Sequence, residues 1–135
     1  MEDVNMWAVA ALAVPFFLVL DGIWLGVIAK DYYRNSLGKL MAKKPNWTMA
    51  AIFYVIFISG LAFFAIEPAI EADDWSMALR YGALYGLVTY STYGFTNGAT
   101  LKNWPQQMVF IDTAWGVALS AAVASLTAGA WLAWF

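Results

Sequence analysis

Gln107-Met-Val-Phe-Ile-Asp112-Thr-Ala-Trp115-Gly116 sets a carboxylate inside an apolar run, with a tryptophan three residues later and a glycine four. Leu18–Gly26 repeats the arrangement near the other end of the chain, with Asp21 followed by Trp24. Residues at i, i+3 and i+4 share one helix face, so each run presents its Asp and Trp together. If both runs cross a bilayer, each ionised Asp costs roughly 2.5–3.5 kcal/mol on insertion scales. Two such residues in one small chain call for helices that hide them from lipid.

Composition supports the bilayer. The 135 residues are 63% hydrophobic and 12% charged, against about 25% charged in a soluble domain. A single domain of this length cannot bury so much apolar surface in its own core. The net charge of −2 and the gathering of basic residues in one loop speak against a nucleic-acid partner. With no Cys and no His, disulfides, Cys/His zinc sites, His-ligated haem and triads built on imidazole or thiol are excluded. No cofactor or metal is expected, and any chemistry falls to Asp, Glu, Tyr, Ser, Thr, Lys or Arg. The stretch Met1-Glu-Asp-Val-Asn5 lacks a basic n-region, so the first apolar run is expected to remain as a span.

Reading outward from the two runs predicts an all-α polytopic membrane protein. Residues 1–135 form one domain with four transmembrane helices, at about 5–28, 48–66, 77–99 and 106–133. The first span contains Pro15, where a bend is expected. Between the first two spans lie Lys30, Arg34, Lys39, Lys43 and Lys44, five of the seven basic residues, opposed by Asp31. By the positive-inside rule this loop is cytoplasmic, which puts both termini on the outer side. Its aromatic and leucine residues alternate with charge, as in a segment lying in the headgroup layer or a connector with snorkelling lysines. The second span carries no ionisable group and reads as a peripheral, lipid-facing helix ended by Glu67-Pro68. The acidic connection that follows ends at Ser76, a candidate N-cap.

The third span carries two small-xxx-small pairs, Gly82/Gly86 and Gly94/Gly98, which admit another helix closely. Thr89, Tyr90, Tyr93, Thr96, Asn97 and Thr100 add a polar stripe expected to face helices or a wet cavity. A short turn with Lys102 and Pro105 leads to the fourth span. Asp21 precedes the basic loop by nine residues, roughly 13 Å at the helical rise, and Asp112 follows Lys102 by a similar roughly 10–13 Å. Both carboxylates therefore fall in one layer of the cytoplasmic half, where Tyr93–Asn97 also arrives. Two acids so placed cannot both ionise cheaply.

Two readings of that layer stand. In one, Asp21 and Asp112 are the catalytic or proton-active groups, and Trp24, Tyr90, Tyr93, Thr96, Asn97 and Trp115 bind a lipid-like or small amphipathic ligand that is carried or modified. In the other, the polar groups pin helices together and the chain is a non-catalytic accessory or structural subunit of a larger membrane complex. Partners under these readings are membrane lipids, a lipid-like ligand, and a membrane-protein partner or second copy. Whether the chain is an enzyme stays open.

The residues Asp21-Gly-Ile-Trp24-Leu-Gly26, Tyr33, Leu37, Thr89-Tyr90, Thr92-Tyr93, Thr96-Asn97, Ala99-Thr100-Leu101, Trp104 and Asp112 with Trp115-Gly116 resemble a family of small bacterial membrane proteins. It is catalogued as domain of unknown function 2177. The resemblance implies the four-helix fold and a bacterial inner-membrane location, and brings no reaction or substrate. It also implies an Asp at the position occupied here by Gly94.

Overall fold

The computed structural model describes residues 4–135, so the first three residues of the leader stretch read above lie outside the described residues. Asn5 caps the first helix: its side-chain oxygen accepts from the backbone N–H of Trp7 at 3.0 Å and of Ala8 at 3.2 Å, satisfying two of the orphan donors. Helix α1 spans Met6–Ile23 and continues as a π turn, Trp24–Ile28. The α geometry runs through Pro15, where a bend was expected. The departure from it comes later, three residues after Asp21. Helix α2, Lys30–Leu37, and a short 3-10 turn, Gly38–Leu40, form the helical part of the basic loop.

The next rod is longer than the sequence suggests. Helix α3, Trp47–Leu61, passes into a π turn, Ala62–Ile66, and then into α4, Glu67–Glu71. Pro68 was expected to end it. Proline lacks the N–H that would bond the carbonyl four residues earlier, and its ring crowds that carbonyl. The wide π turn just before Pro68 is where the ladder slips to accommodate it. Helix α5, Trp75–Thr100, starts from Asp74 and not from Ser76. The Asp74 carboxylate accepts from the Ser76 amide at 3.0 Å and the Ser76 hydroxyl at 2.6 Å. Asp74 also lies 3.8 Å from the Arg80 guanidinium, an exposed pair of small energetic value. Helix α6, Gln106–Trp134, follows a turn in which Asn103 takes φ +60° and Pro105 stands at the N-cap.

Among the described residues three segments are long and apolar enough to cross a membrane: Met6–Ile28, Trp47–Glu71 and Gln106–Trp134. Helix α5 matches them in length, with 26 residues, but its Thr, Tyr, Ser and Asn residues make it less apolar. Those hydroxyls do not all require a partner helix. Thr89 donates to the Tyr85 carbonyl at 2.8 Å, Thr92 to Val88 at 2.5 Å and Thr100 to Thr96 at 2.8 Å, so the polar stripe is partly satisfied within its own helix.

Helices α5 and α6 form the most extensive pair. A Cβ at Gly86 would collide with the Gly116 carbonyl, and a Cβ at Gly116 with the Tyr90 ring. Only glycine allows the two backbones to meet there. The dense core lies at the end of the bundle that holds the chain termini: Val9, Ala13 and Phe17 of α1 meet Leu61, Ile66, Leu119 and Val123. The second half of the α3–α4 rod belongs to this core, which corrects the peripheral place expected for it. Its first half does face outward, with Met49, Ile52, Val55 and Ile56 exposed. Such a belt of exposed apolar side chains suits a hydrocarbon solvent. At the opposite end, toward the Lys30–Asn46 and Leu101–Pro105 connections, the helices part.

Candidate functional site: a crossed aspartate–tryptophan layer

Where the helices part, a cavity of about 500 Å³ opens, and both Asp21 and Asp112 line it together with Leu25, Phe53, Tyr54, Thr89, Tyr90, Tyr93 and Trp115. Its walls are mostly apolar, with a few polar groups converging on one side, the usual make-up of a small-molecule site. Asp21 is brought in by the last α turn of α1 and is buried. Asp112 comes from the second turn of α6 and is half-buried.

Each carboxylate is held by the other run's partner. Trp115 donates its indole N–H to Asp21 Oδ1 at 3.1 Å. Trp24 donates to the Tyr33 hydroxyl at 3.1 Å, and Tyr33 donates in turn to Asp112 Oδ1 at 2.7 Å. Between these two arms the indoles of Trp24 and Trp115 stack, with centroids 4.5 Å apart and planes 8° apart. The twin Asp-x-x-Trp runs are thus interlocked: α6 supplies the donor for the acid of α1, and α1 supplies, through Tyr33, the donor for the acid of α6. A polar network of this kind is rigid when every member is satisfied. Among the described residues neither acid has a donor for its second oxygen, and both acids face the cavity.

Tyr33 lies in α2, outside the spans. Burial pushes its phenol above the ordinary tyrosine range, and the hydrogen bond to Asp112 pushes in the same direction. It is therefore a committed proton donor to Asp112 at neutral pH. Tyr33 was visible beforehand as a headgroup-layer aromatic of the basic loop and as part of the family resemblance, and its role needed the fold, because 79 residues separate it from Asp112. Tyr54, Phe53 and Ala50 were missed altogether. They sit in a uniformly apolar run, where no periodicity distinguishes a cavity-lining face from a lipid-facing one.

The other sequence candidates divide. Tyr90 and Tyr93 line the cavity, Tyr93 from its rim with 57% of its surface exposed. Trp24 acts one step back, through Tyr33 and the stack. Thr96 and Asn97 do not line the cavity; Thr96 is exposed and Asn97 half-buried farther along α5. Asn97 and Tyr93 are four residues apart, so one faces the cavity while the other has passed beyond its mouth. At Gly94, a Cβ would lie 3.2 Å from Val109 Cγ1 and 3.7 Å from the Thr113 hydroxyl. That hydroxyl is buried without a hydrogen-bond partner among the described residues. An acid at position 94 would thus point at Thr113 across the α5–α6 contact; glycine gives that space to close packing with Val109. Among the described residues no cluster of three or more Asp or Glu side chains forms a metal-ion site.

A family described as predicted membrane protein, domain of unknown function 2177, matches residues 6–129. The chain belongs to this family. No curated protein and no solved structure matches it. In this DUF2177 protein the matched range takes in both aspartates, both stacked tryptophans and Tyr33, so the interlocked layer lies wholly within the family's domain.

Proposed function

We propose that the protein is a four-span protein of the bacterial inner membrane, with α5 as the remaining span and both termini on the outer side. In this reading the aspartate layer binds a lipid-like or small amphipathic ligand from the cytoplasmic leaflet, to carry or modify it. The observation that supports it most is the placement of two carboxylates, from opposite ends of the chain, on one wall of an apolar cavity, each with an unused oxygen. A cavity-facing acceptor suits a ligand hydroxyl or a proton. The polar face of α5 turns Thr89, Tyr90 and Tyr93 toward that cavity, the hydroxyls of Thr89, Ser91, Thr92 and Thr100 bond carbonyls of their own helix, and Tyr85 donates to the Phe57 carbonyl of α3. Those features make it tolerable as a span despite its lower apolarity. The basic loop Lys30–Lys44 favours the cytoplasmic side for the cavity end.

The rival reading, an accessory subunit, drew on small-residue faces that invite a partner helix. Gly82, Gly86 and Gly116 are occupied by the α5–α6 contact within the chain, so these three are not open to a partner helix, whereas Gly22, Gly26 and Gly129 are. The test is purification of wild type, Asp21→Asn and Asp112→Asn in native nanodiscs, with mass spectrometry of what accompanies each. The expected result is a bound amphiphile in wild type that falls at least tenfold in both variants while insertion is unchanged. Equal recovery from all three would refute the binding role of the acids.

A further inference from the structure

A second groove, of about 620 Å³, runs down the outside of the α1–α3 seam. Its residues Asp21, Leu25 and Tyr54 also line the inner cavity, so the two spaces share one wall. At the far end, next to the basic loop, stand Lys30 and Trp47. The floor between is bare helix: at Gly22 and Gly26 an added Cβ would meet nothing within 4 Å. Among the described residues Lys30 makes no ion pair, and Trp47 is exposed. The groove therefore has a free ammonium at its mouth, an apolar floor along Leu25, Gly22 and Gly26, and a carboxylate at its inner end.

Resting on the function proposed above, we infer that this groove is the lateral entry for a single-chain lipid with an anionic head. Its head sits at Lys30, the part of the chain nearest the head lies over Gly26 and Gly22, and the rest passes between Leu25 and Tyr54 into the aspartate cavity. Charge selects the head group. The loop carries Lys30, Arg34, Lys39, Lys43 and Lys44 against Asp31, so it attracts anions to the mouth and repels a cationic amphiphile. Drawing an anionic head inward to Asp21 would set like charges together in low dielectric, so the head stays outside and an uncharged tail goes in. The nine residues from Lys30 to Asp21 measure roughly 13 Å along the helix. The acids thus lie at one depth well below the head, where their free oxygens would bond a hydroxyl or other donor carried on the chain. Indole at the mouth suits the headgroup level, where Trp side chains collect.

The test uses the full chain in nanodiscs with three probes of equal length, each carrying a mid-chain diazirine: a fatty acid, the fatty alcohol and the fatty amine. Cross-linked residues are read by mass spectrometry, and the head-group comparison needs no mutation. The expected result is labelling by the acid at Leu25, Tyr54 and Trp115, with the alcohol weaker and the amine weakest. Lys30→Gln should weaken the acid by about fivefold, the effect of one basic residue at a membrane surface, and leave the alcohol unchanged. Gly22→Leu, which fills the floor, should suppress acid labelling at Leu25 and Tyr54. Equal labelling by the three probes or preference for the amine would overturn the inference. Labelling of Tyr90 and Trp115 that depends on Asp21 but not on Lys30 or Gly22 would overturn this entry route and leave the binding function intact. Labelling confined to the outer apolar belt would overturn both.

Discussion

Replacing Tyr33 by Phe removes two hydrogen bonds and almost nothing else. The ring keeps its edge-on contacts with Trp24 at 6.5 Å and Tyr32 at 5.9 Å. What disappears is the donor to Asp112 at 2.7 Å and the acceptor for the Trp24 indole at 3.1 Å. In water a hydrogen bond to a charged group is worth about 1.5–3 kcal/mol, but between membrane helices double-mutant cycles average about 0.6 and reach about 1.7 kcal/mol, because the unfolded chain in lipid also finds partners. The short bond to a carboxylate belongs at the upper end of that range and the Trp24 bond near its mean. Together they give about 2 kcal/mol, or about 30-fold in the folding equilibrium. The assay is reversible unfolding in mixed micelles titrated with a denaturing detergent, followed by tryptophan fluorescence. Tyr32→Phe serves as the control, since that hydroxyl lies outside the network. Asp112→Ala, which removes the acceptor, combined with Tyr33→Phe should cost clearly less than the sum of the two single changes, because the same bond is lost in each. If Tyr33→Phe matches Tyr32→Phe within error, or the pair is additive, the interlocked layer does not hold the helices as described.

Two further outcomes follow from the same geometry. Gly86→Ala should prevent α5 and α6 from closing, since its Cβ meets the Gly116 carbonyl, whereas Gly22→Ala meets open space and should leave thermal unfolding unchanged or slightly raised, by up to about 1 kcal/mol of helix propensity. Equal effects of the two changes would contradict the packing. The Tyr33 phenol keeps its proton in the fold at a pH where an unfolded tyrosine has lost it, so its contribution is complete below the ordinary tyrosine pKa of about 10 and is lost as pH rises beyond that toward the folded value. Tyr33→Phe should therefore flatten the alkaline limb of stability relative to wild type, and an unchanged difference between the two proteins from pH 8 to 11 would count against a buried donor.

Much of this protein can be read one residue at a time, because the free energy of placing a side chain in hydrocarbon is local and sums along a helix. The apolar runs around Asp21 and Asp112, the basic first loop and the glycines of α5 are of that kind, and they establish an all-helical membrane protein with two acids that must be sheltered. Caps are nearly as local: the α5 start was displaced by two residues because Asp74 and Ser76 are both able acceptors, and the carboxylate prevails. Rotation and register between helices have no such local signature. They decide that Trp115 reaches Asp21 and not its own Asp112, that Tyr33 closes the second arm across 79 residues, and that the far half of the featureless α3–α4 rod is core while Tyr54 faces a cavity. A hydrogen bond between distant helices depends on where two independent rods come to rest against each other, and only their packing in three dimensions specifies that.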